Sequence, residues 1–411
     1  MPVSPEEKEI LRALAGEVAR IAHLPVQNEK AELWRRLNRL QKVRPLVWIN
    51  EICWEEMGPE LDLKTGDEFA RGQERNLRQV LYQWRHMPAD MVVDANLWCP
   101  IVIHDSGYGM NTIAVRTGDG PGTADYVSII RSEADVERIQ MPRVTVDWQA
   151  TRRNHERMLE LFGDIMPVEV RGVTGTWFAP WDTLIQWYGI EELYTDIMDR
   201  PKLVHKAIDR MVQAMIHRFG QYEALGVLAP NNCNCRVGSG GLGFTDELPA
   251  ADFDGRTVRM IDMWGNSTAQ IFSEVSPAMH EEFALRYELR ILERFGLNCY
   301  GCCEPLHKKI GILRQIPRLR RISMSPFVNV AEGAAAIGDR YVFSAKPNPA
   351  VLAGESWNPD RARKELREIL DKTRSCHVEL IMKDITTVRN EPRRLWEWSQ
   401  IAMDLAEEFA P

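Results

Sequence analysis

From residue 43 onward, short apolar runs alternate with longer stretches in which apolar residues recur every three or four positions. The short runs predict strands at LVWINE (46–51), PIVIHD (100–105), MPVEVRGV (166–173), GVLAPNN (226–232), AQIFSEV (269–275), LNCYGCC (297–303), LRRISMS (319–325), RYVFSAKP (340–347) and VELIMKD (378–384). The longer patterns predict helices over 189–225, 277–296 and 360–373, and residues 5–42 read as two further amphipathic helices. Strand–helix alternation implies parallel strands joined by crossover helices, and about eight such units favour a closed (β/α)8 barrel over an open doubly wound sheet. The expected organisation is an α/β fold: a helical extension at 1–42 and one barrel over 43–411.

Polar clusters gather just after the strands: HDSGYG, NNCNCR, GCCEPLH, KPNP and KDITT. In a barrel these segments converge on one face, the mouth at the strands' C-terminal ends, where residues distant in sequence share a pocket. The glycine-rich GSGGLG (238–243) lacks the strand–turn–helix context of a dinucleotide site and reads as a flexible loop.

Composition narrows the functional classes. The 411 residues are 45% hydrophobic and 27% charged, the balance of a globular protein with an ample core. A net charge of -8 argues against a nucleic-acid partner. No apolar run reaches membrane-spanning length, and the charged N-terminus has no signal-peptide core, so a cytoplasmic protein with no membrane partner is expected. Eight cysteines are then expected as reduced thiols.

Three of those cysteines fall in GLNCYGCCEPLHKK (296–309), which offers Cys302, Cys303, Glu304 and His307 within six positions. Thiolate with imidazole or carboxylate selects zinc over magnesium or calcium. Cys233 and Cys235 share one side of an extended segment and are candidate further ligands. The competing readings are core packing for the thiols and a solvated His307. His104 and Asp105, and Lys383 and Asp384, end strands and are candidate catalytic groups, against a simple turn and a rim ion pair. Of the 13 tryptophans, several lie at strand ends, among them Trp54, Trp177 and Trp181. Trp beside Glu, as in WINEICWEEM with Glu51 and Glu55, suits a cage for an alkylated ammonium group, and the same rings would stack on an aryl methyl ether.

RTGDGPGTADYVSIIRSEADVERIQMPRV (116–144), GTWFAPWDTLIQWYGIEELYTDIMDRPKLVHKAIDRM (175–211), SPAMHEEFALRYELRILERF (276–295) and NVAEGAAAIGDRYVFSAKPNPAVL (329–352) occur in the order in which similar segments occur in the uroporphyrinogen decarboxylase superfamily. The chain resembles that superfamily from about residue 43 to its C-terminus. It departs from true decarboxylases after the first strand, where Glu51, Glu55 and Glu56 replace the arginine-rich grip on a polyanionic porphyrinogen, and near WCPIV, where Cys99 and Pro100 replace the catalytic Asp.

The resemblance therefore points to the zinc-dependent methyltransferase branch, which serves corrinoid or folate carriers. That branch carries a His-x-Cys and a later Cys. Here the strand ending NCYGCCEPLH has no His two residues before a Cys, and the last strand, VELIMKDITT, has no Cys, so the ligand set is rearranged. The resemblance implies methyl transfer from a small methylated donor, an aryl methyl ether or methylated amine, to a corrinoid on a partner protein, assisted by zinc. A homodimer is among the expected assemblies. The alternative is a decarboxylase or lyase acting on a small carboxylic acid other than uroporphyrinogen. Catalytic roles are expected for Glu51, His104, Asp105, Lys383 and Asp384, metal ligation for Cys302, Cys303, Glu304, His307, Cys233 and Cys235, and donor binding for Trp54, Glu55, Trp177 and Trp181.

Overall fold

The computed structural model describes residues 3–116 and 124–411. Nine strands build the frame: β1 (Leu46–Ile49), β2 (Leu97–Pro100), β3 (Val168–Arg171), β4 (Trp177–Phe178), β5 (Trp264–Ser267), β6 (Leu297–Tyr300), β7 (Leu319–Met324), β8 (Val342–Ala345) and β9 (His377–Met382). Seven form one all-parallel sheet in the order β1-β9-β8-β7-β6-β5-β4, and β2 pairs in parallel with β3. Among the described residues β3 and β4 are not paired with each other. Between β1 and β2 themselves there is no ladder, so the expected closed barrel is instead an open one. On its free edge β1 is served by side chains and a turn. Val47 N–H donates to Asp90 Oδ2 at 2.7 Å, Asp90 N–H donates to the Val47 carbonyl, and Gln83 Nε2 donates to the Ile49 carbonyl at 2.9 Å. These bonds satisfy backbone groups that a neighbouring strand would otherwise take.

Alternation along the strands separates two environments. Val47, Ile49, Tyr300, Ile322, Met324, Phe343, Leu380 and Met382 face outward into the main apolar core beneath the helices. The alternate positions, Cys299, Arg321, Ser323, Ser344 and Glu379, face inward and are equally buried but polar. A buried charge needs a partner. Arg321 Nε lies 3.2 Å from Glu379 Oε1, Arg321 Nη2 donates to Asn38 Oδ1 at 2.7 Å, and Gly241 N–H donates to Glu379 Oε1 at 3.2 Å.

Those last contacts explain two segments that strand–helix alternation left outside the barrel. Helix α1 (Pro5–Ala22) opens with a Ser4–Glu7 capping box, and α2 (Pro25–Asn38) delivers Trp34 and Asn38 to the barrel floor. Trp34 packs with Leu46, Val342 and Leu242, and its Nε1 donates to the Asp90 carbonyl at 2.9 Å. GSGGLG is not a free loop. It threads into the interior, where a Cβ on Gly240 would lie 2.5 Å from the Arg321 side chain and one on Gly241 would lie 2.4 Å from Trp34. Glycine is required at both by space.

Other expectations shift. The strand expected at 269–275 is instead WGNS at 264–267, and residues 270–272 form a single 3-10 turn. GVLAPNN contributes one bridge, Val173 to Leu228, and PIVIHD splits into the end of β2 and a short antiparallel ribbon, Ile103–Asp105 with Val144–Val146. The helix expected over 189–225 breaks at Arg200 into Ile190–Asp199 and Pro201–Ala224, as Pro201 dictates. The Gly-x-Gly-Pro turn quoted for the family resemblance lies at 118–121, outside the described residues. Among the described residues no helix is long and apolar enough to cross a membrane.

If Trp34 closes the floor, Trp34→Ala leaves a cavity beneath Leu46 and Val342. A loss of about 3–5 kcal/mol in unfolding free energy is expected, read by urea denaturation.

Candidate functional site

At the C-terminal ends of β6, β9 and β1 three loops meet. Gly301, at φ +95°, turns the chain sharply after β6, so Cys302 and Cys303 no longer alternate across a strand and their sulfurs stand 3.5 Å apart. Lys383 follows β9 directly. Its Nζ lies 3.3 Å from Cys302 Sγ, 3.8 Å from Cys303 Sγ, 3.0 Å from Asp384 Oδ2 and 3.7 Å from Glu51 Oε2. Glu51, just past β1, also accepts from Arg236 Nη1 at 2.6 Å and from the Asp384 amide at 3.2 Å. Residues 51, 236, 302, 303, 383 and 384 thus form one connected cluster.

The electrostatics follow from this geometry. The Cys302 thiol is pulled down to about 7, first by the hydrogen bond from Cys303 and then, against burial, by the Lys383 ammonium. Its partner Cys303 is pushed up, because it keeps the shared proton. Burial works against the charge on Lys383, yet the two sulfurs, Asp384 and Glu51 together raise its pKa above the ordinary lysine value. Glu51 is held at about 2, despite burial, by the Asp384 amide, Arg236 and Lys383. Of the two thiols Cys302 is the one that ionises first, and the Lys383 ammonium is its counter-charge.

The expected metal set is not brought together. Glu304 turns inward, fully buried, and accepts from Thr268 Oγ1 at 2.7 Å, the Ala269 amide at 3.3 Å and the Cys302 amide at 2.8 Å. These bonds fix the loop and engage both carboxylate oxygens. His307 sits in a 3-10 turn and faces Glu332 at 3.6 Å. Cys233 and Cys235 are a separate pair, 3.8 Å apart, and Arg171 Nη2 donates to them at 3.0 and 2.7 Å. Among the described residues no group of three or more His, Cys, Asp or Glu side chains is arranged to hold a metal ion. Lys383 stands where a cation bridging Cys302 and Cys303 would stand. These residues do not fit the zinc ion that the family resemblance implies.

Other expected residues scatter. His104 and Asp105 lie on the short antiparallel ribbon, where Asp105 pairs with Arg218 at 2.7 Å. Trp181 is fully buried, donating to the Phe283 carbonyl at 3.0 Å and packing edge-on against Phe272. Trp54 packs edge-on against Tyr82, and Glu55 is solvent-exposed. Trp177 is 41% exposed and pairs in register with Asn266. Buried Trp181 offers no open ring face for the expected cage.

Three residues were not singled out. Arg236 directly follows Cys235 and bridges to Glu51. Ser323 Oγ holds the Cys302 carbonyl at 3.0 Å. Lys346, in the strand-end KPNP, is buried and donates to Ser344 O at 3.1 Å and Ser344 Oγ at 2.6 Å, and burial draws its pKa down to about 8. Position after a strand flagged KPNP, but no local pattern marks a lysine that turns inward.

Two outcomes test the cluster. Iodoacetamide should alkylate Cys302 with a midpoint near pH 7, and Lys383→Met should move it up by about one unit, because the thiolate loses its counter-charge. The sign is that of a depressed acid: the thiolate–ammonium contribution to folding is present at alkaline pH and is lost as pH falls through that midpoint. Second, protein purified without added zinc should hold well under about one zinc per chain, and Lys383→Met should raise zinc retention by freeing both thiolates. Stoichiometric zinc that disappears in Cys302→Ser would restore the zinc set.

No family model matches this chain, and no curated protein matches it in sequence. Among solved structures it is similar to a methyltransferase from Methanosarcina mazei, at 12% identity and a TM-score of 0.48, with 92% of this chain and 98% of that chain covered.

Proposed function

We propose that this protein is a cytoplasmic methyltransferase that takes a methyl group from a small methylated donor and passes it to a corrinoid carried by a partner protein. The observation that supports this reading is the Lys383 ammonium held at the mouth between two thiols and two carboxylates. In methyl transfer the bond from the methyl carbon to its heteroatom breaks, and both electrons stay on the heteroatom. A cation fixed beside that atom stabilises the charge as it develops and needs no reorganisation. Lys383 performs here the task a zinc ion would perform as Lewis acid. Glu51 and Asp384 hold it in place, and the nucleophile arrives with the partner.

This geometry favours an ether donor over an alkylated ammonium. An aryl ether leaves as an oxyanion and gains from Lys383. A quaternary ammonium leaves as a neutral amine and meets only repulsion beforehand.

One observation favours the second reading, a decarboxylase or lyase on a small acid. Lys346 and Lys383 are buried at the ends of β8 and β9, near enough for the Lys383 charge to lower the Lys346 pKa, and a carboxylate bound there would meet two cations.

The test is demethylation of methoxylated aromatic acids with free cob(I)alamin as acceptor, followed by its absorbance. Lys383→Met is expected to lower kcat about 100- to 1000-fold with little change in KM. Carbon dioxide release without methylcobalamin would establish the second reading instead, and full activity of Lys383→Met would remove the ammonium from the mechanism.

A further inference from the structure

The unpaired edges of β1 and β2 leave a cavity of about 380 Å³ between them, roofed by the helix Glu68–His86. Its size is that of a small-molecule site. Six lining residues set its chemistry: Trp48, Gln83, Asp94, Trp98, Asn234 and Arg236. Three of their polar groups are already engaged. Gln83 Nε2 donates to the Ile49 carbonyl, Asn234 Nδ2 donates to the Val92 carbonyl at 2.9 Å, and Asp94 Oδ2 accepts from Trp98 Nε1 at 2.9 Å. The buried groups left without a hydrogen-bond partner among the described residues are Trp48 Nε1 and Arg236 Nε, and both are donors. A buried N–H without a partner is costly, and a ligand that brings acceptors would relieve both donors.

Its walls say what carries those acceptors. Two indoles line it, and they offer flat faces to a planar ring. An alkylated ammonium would also seek indoles. However, Trp98 already carries the Arg171 guanidinium at 4.3 Å from its ring centroid, so one face of that indole is taken by a cation. A second cation on that ring would sit against the first, which disfavours an alkylated ammonium there.

We propose that this seam cavity binds a planar aromatic molecule with an acceptor oxygen, held between Trp48 and Trp98 and hydrogen-bonded by Trp48 Nε1 and Arg236 Nε. It rests on the methyltransferase reading only in making that aromatic the methyl donor. Arg236 then links the two places, since its Nη1 reaches Glu51 at 2.6 Å and Glu51 lies 3.7 Å from Lys383.

Titration calorimetry on the full chain tests it, with 3-methoxybenzoate and 3-hydroxybenzoate as probes and cyclohexanecarboxylate and tetramethylammonium as comparators. Both aromatics are expected to bind, the saturated acid more weakly and tetramethylammonium not at all. Trp48→Phe keeps a ring but removes the N–H, and should weaken the aromatics about three- to tenfold with the thermal midpoint unchanged, because that N–H has no partner in the free protein. Val80→Trp, which fills the cavity from the roofing helix, should abolish binding. Tetramethylammonium binding as tight as the aromatics, absence of aromatic binding, or aromatic binding indifferent to both variants would overturn the assignment. Aromatic binding that responds to both variants without any methyl transfer would support the site and overturn the methyltransferase reading.

Discussion

The fully buried Arg321–Glu379 pair is the constraint around which the rest is arranged. Two charges inside a β-sheet are costly unless they are paired and hydrogen-bonded, and here the hydrogen bonds beyond the pair itself come from outside the sheet. Asn38 at the end of α2 and the backbone of the glycine-rich segment supply them. The N-terminal helices and the 238–243 segment are thus held to the barrel by the electrostatic needs of its interior as well as by Trp34. Removing either strips hydrogen bonds from a buried ion pair and weakens the attachment of floor and plug to the strands.

The plug also determines what is left for chemistry. It fills the lower interior, and the β1–β2 seam beside it keeps a cavity. The same segment carries Cys235 and Arg236 on its way in, so the ion pair that positions the plug also positions Arg236 against Glu51. Glu51 was expected to repel anions at the mouth. It is instead neutralised by Arg236 and Lys383, and its task is to hold the ammonium. The cluster is balanced by side chains, with thiols and carboxylates opposed by Lys383 and Arg236, and this is the physical reason it does not fit a divalent ion as well as its composition suggests.

Much of the frame was legible in the sequence because the signals are local. β1, β3, β6, β7, β8 and β9 fall within runs rich in branched and aromatic residues, and Pro5 and Pro25 begin helices as their fixed φ predicts. β5 was missed because WGNS has almost no apolar pattern. Its inward position calls for Asn266, and Phe295 with Asn298 leaves no room for a Cβ at Gly265. Open closure was equally invisible, since Asp90 and Gln83 look like ordinary polar residues until they are seen bonded to β1.

For the site, the sequence by itself determined that thiols, a lysine and carboxylates would stand at strand ends, because strand alternation and barrel topology bring those ends to one face whatever lies between them. Cys302, Cys303, Lys383, Asp384 and Glu51 meet for that reason. Only the tertiary structure decided which neighbours completed the cluster. Glu304 and His307 are as close to Cys303 in sequence as ligands need to be, but Gly301 and the Thr268 hydroxyl turn Glu304 inward and Glu332 draws His307 away. Lys383, 80 residues from Cys303, takes the place between the sulfurs instead. Spacing along a chain fixes which side chains can meet. Which ones do meet depends on hydrogen bonds made by groups far away in sequence, and those exist only once the chain has folded.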